Sequence, residues 1–384
     1  MHVSAQISEL AEDLLEVPDR PAVFLLWAAS GAPYLAKTTL LRRRLKRLLA
    51  HSDRLTRVLK LGGVAERLEY WTVGSSLEAM LVHLDLAQKY FPDDWRKITR
   101  FKAPTFFRLT TENEFPRTMI TTKLGRGVYT GPFASRAAAE RYAAEALDLF
   151  QIRRCEENLE PSRQHPGCIY GEMNKCLRPC QAAVSRDEYA SESARFEKFL
   201  RTLGVSLLEP AEAARDRASA DMQFEDAERW HQRVARIREA AASAGDLARP
   251  LEQLSGVAVC PSSTELAVEL FLFAGGQWLP PRRLMLADTV EAGQSMDRRL
   301  REMMESIEPK GPPDMAHLSV LTRWYGSSWR DGEWIGFDAP TKVPYRKIVN
   351  AIARVAAGKG TESKPVEHQA RAEQSQARAE QTKT

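Results

Sequence analysis

Four of the five cysteines lie close together as Cys155, Cys168, Cys176 and Cys180, with the spacing C-x12-C-x7-C-x3-C. An apolar core has no reason to gather thiols in this way. A metal centre does, because four thiolates complete either a zinc site or an iron–sulfur cluster. A pair of disulfides is the other use for them. Disulfides are rare in the reducing cytosol, and Met1–Glu16 is acidic and lacks the apolar core of a secretory signal, so metal binding is the expectation. The segment from Cys168 to Cys180 is expected to be loop-rich, since Pro166-Gly167 and Pro179 break helix. Cys260 stands alone in an apolar run and reads as a buried small hydrophobe.

With 384 residues and 43% hydrophobic content, the chain has room for two or three domains with sizeable cores. No apolar run approaches the ~18–20 residues of a membrane span, so a soluble, cytoplasmic protein is expected. A net charge of +4 says little about partners, but its distribution says more. Lys37, Arg42, Arg43, Arg44, Lys46, Arg47, Arg54, Arg57 and Lys60 share one stretch with a single acid, Asp53. Such a stretch suits either a phosphate backbone or a solvated helix face.

Periodicity gives the outline of a multidomain α/β protein. Residues 1–20 read as a short amphipathic helix. Ala22–Trp27 and Pro33–Ala36 read as strands about a Ser30-Gly31 turn, and Thr38 or Thr39 caps a basic helix to Ala50. The apolar face of that helix is Leu41, Leu45, Leu48 and Leu49. A strand at Arg67–Val73 precedes a helix from Ser75-Ser76 to Tyr90, with Leu77, Met80, Leu81, Leu84 and Ala87 inward. Strands and turns are expected over residues 105–133, then helices over Ser135–Phe150 and Arg186–Leu203. Residues 206–243 read as two helices broken near Met222–Phe224. Strands follow over Val257–Phe273 with a Gly275-Gly276 turn, then helices near 292–307 and 344–356. The polar tail repeats QARAEQ and should lack a packed core. Domain boundaries are drawn at 18–95, 96–204, 205–243, 250–356 and 357–384.

This order, together with YTGPF (Tyr129–Phe133), CIYGEMNKCLRPC (Cys168–Cys180) and MQFEDAERWHQRV (Met222–Val234), resembles the UvrC family, the incision subunit of bacterial nucleotide excision repair. The resemblance covers roughly residues 18–350. It implies that the four thiolates hold a [4Fe–4S] cluster, whereas spacing alone leaves zinc open. It also implies that residues 206–241 form a UVR hairpin that binds UvrB. On that reading Phe224 packs between the helices, and Glu225 and Arg229 belong to a charged outer face.

By the same resemblance the N-terminal domain is a GIY-YIG nuclease fold with altered signatures. The usual Gly-x-Tyr reads Ala22-Val23-Phe24, and the usual Tyr-x-Gly-Lys reads Tyr34-Leu35-Ala36-Lys37. Tyr34 matches the general base, Arg44 the catalytic arginine, and Lys37 is retained. Leu48 stands where the family has a further tyrosine. In EAMLVH, Glu78 matches the first acid, and His83 replaces the metal-binding glutamate. Such an enzyme needs a base, a cation for the phosphate and a carboxylate for Mg²⁺, and imidazole suits Mg²⁺ poorly. Losing several such groups should cut hydrolysis steeply, since one acid–base group alone contributes ~10²–10⁴-fold. Mg²⁺ is then expected only if the nuclease is active.

The family's ribonuclease-H-like nuclease and tandem helix–hairpin–helix module are not expected within these 384 residues, and residues 255–350 resemble only the segment before that nuclease. Trp324, Trp329 and Trp334, with Arg323 and Arg330, read either as core aromatics or as a stacking and phosphate surface. The expectation is a UvrC-like repair protein that binds DNA, with Arg42, Arg43 and Arg47 on phosphates, and binds UvrB, while its nuclease site is degraded. The alternatives are an active single-incision endonuclease and a cluster-based redox sensor.

Overall fold

A computed structural model describes residues 2–9, 14–49, 61, 63–286, 295–304, 311–338 and 342–359. By contact, the chain divides into two compact units, residues 1–102 with 255–384, and residues 103–254. No helix among the described residues is long and apolar enough to cross a membrane. Asp53, Arg54, Arg57 and Lys60 of the basic stretch lie outside the described residues, as do both QARAEQ repeats.

The first unit opens with strands β1 (His2–Gln6), β2 (Ala22–Ala28) and β3 (Tyr34–Thr38), helix α1 (Leu41–Leu49), strand β4 (Ala65–Thr72), and helices α2 (Ser76–Tyr90) and α3 (Trp95–Thr99). The strands form an antiparallel sheet ordered β1-β4-β2-β3. Alternation along β2 divides its side chains between two faces. Phe24 and Leu26 pack with Leu41, Leu45 and Leu48 of α1, while Val23 and Leu25 pack with Val73 and Leu86. The Ser75 hydroxyl caps α2 by accepting the Glu78 N–H at 3.1 Å.

Three expectations change here. His2–Gln6 is an edge strand on β4, not a helix. Its period is two: Val3, Ala5 and Ile7 are half-buried between exposed His2, Ser4 and Gln6. Strand β4 begins two residues before the expected Arg67. On α2, Leu81 is only half-buried, and His83 and Leu86 join the buried face.

The second unit contains β5 (Thr105–Leu109), β6 (Thr118–Thr121), β7 (Val128–Phe133), α4 (Arg136–Leu147), the short α5 (Ile169–Glu172), α6 (Arg186–Arg201), α7 (Val205–Ala220), α8 (Phe224–Ala242) and β8 (Arg249–Pro250). The sheet order is β6-β5-β7-β8. Tyr129–Phe133 is wholly buried in β7. At Gly131, φ is +148° and a Cβ would lie 2.7 Å from the Phe106 ring, so the close packing of β7 on β5 needs glycine there. Phe107, Tyr142, Phe150 and Phe196 meet edge to face across the core. Helices α7 and α8 form a hairpin that buries Ala211, Val234 and Ile237.

The remainder of the first unit holds β9 (Ser255–Pro261), β10 (Ala267–Ala274), β11 (Gln277–Trp278), β12 (Arg282–Met285), α9 (Met296–Met304), α10 (Met315–Tyr325), β13 (Glu333–Phe337) and α11 (Tyr345–Ala356). Its sheet runs β11-β10-β9-β13, with β12 also on β10. Helix α10 and strand β13 are additions to the expected elements. Helix α10 buries Leu318, Val320, Leu321 and Trp324, so it presents no clean amphipathic stripe. Its N-cap was a usable signal: Asp314 accepts the Ala316 N–H at 2.6 Å.

Candidate functional site: a basic cleft and a four-cysteine loop

The N-terminal sheet, α1 and α2 surround a cavity of ≈ 660 Å³ whose lining includes Lys37, Arg44, Arg47, Ser75 and Ser76. Arg323, Ser327, Trp329 and Asp331 from the segment around the end of α10 complete it. Four cations therefore share one cleft with a single lining carboxylate, Asp331, and that carboxylate is committed. It accepts the Ser76 N–H at 2.6 Å and also the Ser76 hydroxyl. Neither β3 nor α1 could build this alone. Arg44 and Arg47 reach the cleft because the 3.6-residue period puts them three apart on α1, off the stripe of Leu41, Leu45 and Leu48.

The expected catalytic residues are only partly brought together. An Arg44 guanidinium N–H donates to the Tyr34 hydroxyl at 3.3 Å, and the Phe24 and Tyr34 rings are tilted with centroids 6.2 Å apart. Lys37 projects from the other face of β3, as strand alternation requires, and lines the cavity that Tyr34 does not line. Phe24 and Leu48 are fully buried in the core beneath. His83 is buried too, and it is not among the lining residues. Burial, followed by the nearby Lys37 ammonium, pushes its imidazole down to about 4. Burial and then Arg323 lower Lys37 in turn. Glu78 does not offer a free carboxylate: it accepts the Gly74 N–H at 2.7 Å, and burial raises its pKa.

The three arginines expected on DNA separate by environment. Arg42 is half-buried, and its Nε donates to the Val17 carbonyl at 2.7 Å, so it holds the loop before β2 rather than facing out. Arg43 and Arg47 are exposed. The tryptophans separate as well. Trp324 is fully buried and Trp334 half-buried, whereas Trp329 is 88% exposed. Arg330 is structural: it donates to the Tyr325 carbonyl at 3.2 Å and lies over the Trp324 and Tyr325 rings.

In the second unit, a network of short hydrogen bonds shapes the cysteine loop. Cys168 is the N-cap of α5, and Cys180 sits in a tight helical turn at Pro179–Gln181. Arg178 and Ala182 flank that turn in the left-handed region, at φ 59° and 49°. The Leu177 N–H donates to the Gln151 carbonyl at 3.2 Å, and the Ser162 N–H donates to the Cys180 carbonyl at 2.9 Å. All four thiols are free, with Cys176 and Cys180 buried, Cys155 half-buried and Cys168 exposed. Among the described residues, no group of three or more His, Cys, Asp or Glu side chains is drawn together as a site for one metal ion. The thiols nonetheless feel one another. Burial pushes Cys176 up to about 11 against the Arg178 N–H that donates to its Sγ at 3.4 Å, and Cys155, Cys168 and Cys180 add to the rise.

Arg153, two residues before Cys155, escaped the sequence reading. It is 2% exposed. Its Nε donates to the Phe115 carbonyl at 3.1 Å, and its Nη1 donates to the Glu157 carbonyl at 3.1 Å and approaches the Cys155 Sγ at 3.6 Å. No carboxylate lies within ion-pair distance of it among the described residues. A buried guanidinium beside a sulfur fits a thiolate, and hence a thiophilic metal group, better than it fits neutral thiols. Chemically, the four sulfurs are a donor set for zinc or an iron–sulfur cluster.

The expected packing of Phe224 between the hairpin helices is not what the structure has. Phe224 is 74% exposed and Met222 75% exposed at the hairpin tip. Phe224 opens α8 beside the break in the chain, and the small or branched residues Ala211, Val234 and Ile237 fill the interhelical space instead. Glu225 is exposed beside it, and Arg229 pairs with Asp226.

Residues 105–199 match the UvrC/Cho excinuclease, middle domain. The chain is UvrC-like over most of its length. It is 25% identical over 364 residues to UvrABC system protein C of Ruminiclostridium cellulolyticum, covering 91% of this chain and 58% of that protein. It is 24% identical over 359 residues to the protein of the same name from Symbiobacterium thermophilum, covering 90% and 56%. The Rickettsia bellii protein of that name is 26% identical over 267 residues, covering 69% and 42%. The chain thus spans less than two thirds of the length of these relatives. No solved structure gives a significant match.

Proposed function

We propose that this chain is a UvrC-like protein of nucleotide excision repair that binds DNA and a UvrB-type partner, and that its GIY-YIG-like site makes little or no incision. The carrying observation is the charge of the cleft. Lys37, Arg44, Arg47 and Arg323 line it, its one carboxylate is held by Ser76, and His83 occupies the expected glutamate position beneath it, buried and neutral near pH 7. Such a cleft attracts phosphate but offers a divalent cation no free carboxylate from its lining side chains. Tyr34 and Arg44 keep a hydrogen bond suited to a base and a phosphate clamp, without the carboxylate they would work with.

In this reading Cys155, Cys168, Cys176 and Cys180 hold a [4Fe–4S] cluster, with zinc as the alternative. The group would supply a structural cross-link between the segment carrying Cys155 and the Cys168–Cys180 loop. Arg153 balances thiolate charge, and the Arg178 N–H donates to sulfur. The exposed hairpin tip, with Phe224 and Glu225 outward and Arg229 beside them, supports a docking role on the partner.

The test is a nicking assay on lesion-bearing and branched duplexes, with Mg²⁺ and with Mn²⁺. Binding without cutting is expected. Robust incision that disappears in Tyr34→Phe would replace this reading with the active-endonuclease one. DNA affinity that tracks only the oxidation state of a bound cluster would replace it with the redox-sensor one.

A further inference from the structure

Trp329 is unusual in this fold. It is 88% exposed, while Trp324, five positions earlier on the same segment, is wholly buried. A tryptophan left in water forgoes the burial that normally stabilises it. Its backbone is nonetheless anchored. The Trp329 N–H donates to the Ser327 hydroxyl at 3.2 Å, and two residues later Asp331 is clamped onto Ser76 at the start of α2. The indole therefore stands at a cleft that also contains Lys37, Arg44, Arg47 and Arg323.

Those four cations come from three separate segments of the chain, and among the described residues none of them is in an ion pair. Like charges crowded into a partly buried cleft repel one another unless an anion is bound. The depressed Lys37 ammonium reflects that crowding, with burial as its larger cause and Arg323 as its second. Several cations along one cleft suit a chain of phosphates better than a single one. A flat aromatic face at the same cleft suits a base whose own face is open. In a duplex that face is stacked, so the combination selects single-stranded nucleic acid.

We propose that Arg323 and Trp329, together with Lys37, Arg44 and Arg47, form a binding site for single-stranded DNA, the cations holding consecutive phosphates and the Trp329 indole stacking on an unpaired base. This rests on the DNA-binding reading above and deepens it by naming the form of DNA. It also gives the C-terminal segment of the first unit a direct part in binding.

The experiment measures binding of the full chain to a fluorescently labelled oligothymidylate and to a blunt duplex of equal length, for the wild type, Trp329→Ala, Trp329→Phe and Arg323→Ala. Loss of one stacking contact should weaken single-strand affinity by roughly 5- to 150-fold in Trp329→Ala, leave duplex affinity near the wild-type value, and be largely restored in Trp329→Phe. Arg323→Ala should weaken single-strand binding and lower its salt dependence by about one phosphate contact. Oligothymidylate should quench fluorescence in the wild type more than in Trp329→Phe. If Trp329→Ala binds the single strand as the wild type does, or loses duplex and single strand equally, the inference is wrong while the DNA-binding reading stands. If thymidine monophosphate alone competes as well as the oligonucleotide, the site is a nucleotide pocket and the inference is overturned. Wild-type protein that binds neither DNA would instead remove the reading beneath it. Unchanged thermal unfolding in the variants separates these outcomes from misfolding.

Discussion

The cysteine loop and the basic cleft are built on opposite principles. The loop draws its four sulfurs from one short stretch and shapes it with local backbone bonds, such as those of Leu177 to Gln151 and Ser162 to Cys180. The cleft draws its groups from β3, α1, α2 and the end of α10, and ties them with Asp331 on Ser76, 255 positions away. The loop takes its thiols from neighbouring sequence, with Arg153 beside Cys155 fixed by the Phe115 carbonyl. The cleft exists only when the first unit has folded. Damage to the loop should therefore show as loss of a bound group, and damage to the cleft as loss of stability or of DNA affinity.

The largest effect is expected in the loop. Cys176→Ser should lower affinity for iron or zinc by more than about 100-fold, since changing even a group that only orients a ligand typically costs 10–100-fold. Metal analysis with visible absorbance checks this, because a cluster is coloured and zinc is not. Metal uptake should strengthen as pH rises, because the Cys176 thiol is held up near about 11 and must lose its proton to bind. Metal content unchanged in the variant would dissolve the contrast between the two regions.

Beneath the cleft, His83 should make stability pH-dependent. Its folded pKa, about 4, lies below the ordinary 6.5. Above pH 6.5 both states are neutral and nothing is lost. As pH falls from there, the unfolded chain takes up a proton that the folded chain refuses, until the folded form protonates near pH 4. The loss should be on the order of 3 kcal/mol across that window. Denaturant melts of His83→Leu should lack this slope, and a slope identical to the wild type would misplace the cause.

Gly74→Ala tests a second long-range contact of the first unit, between the segment before α2 and the Ser262 backbone. Its Cβ would come within 2.2 Å of the Ser262 backbone, so one of two fixed chains must move. A cost of about 1–3 kcal/mol is expected, read as a lowered Tm, with weakened DNA binding alongside. The smallest stability effect belongs to Phe224→Ala. At 74% exposure, the side chain should change folding by no more than about 0.5 kcal/mol, while pull-down of a UvrB-type partner should fall sharply. A large loss of Tm would return Phe224 to the hairpin core.

Legibility followed the same division. The strands β2 and β3, helix α1 and the hairpin break near Met222 were readable because each is a local pattern of period or breaker. The Val3–Ile7 alternation is a weak signal by itself, because the strand that pairs with His2–Gln6 lies far along the chain at Arg67–Trp71. Helix α10 hid because it is buried on nearly every side. Phe224 was placed in the core because hydrophobicity alone does not say which apolar residue a hairpin leaves outside.

What the sequence determined by itself is the set of locally encoded features: the four-thiol stretch, the basic helix with its Leu41–Leu45–Leu48 stripe, and the hairpin break near Met222. What only the tertiary structure decided is which of these meet. It turned Arg42 onto Val17, buried Trp324 while leaving Trp329 in water, set Arg153 beside Cys155, and brought Arg323 and Asp331 to a cleft begun by Lys37 and Arg44. The physical reason is that period, caps and breakers act over a few residues, whereas burial and charge depend on distance in space, which a chain sets only by folding.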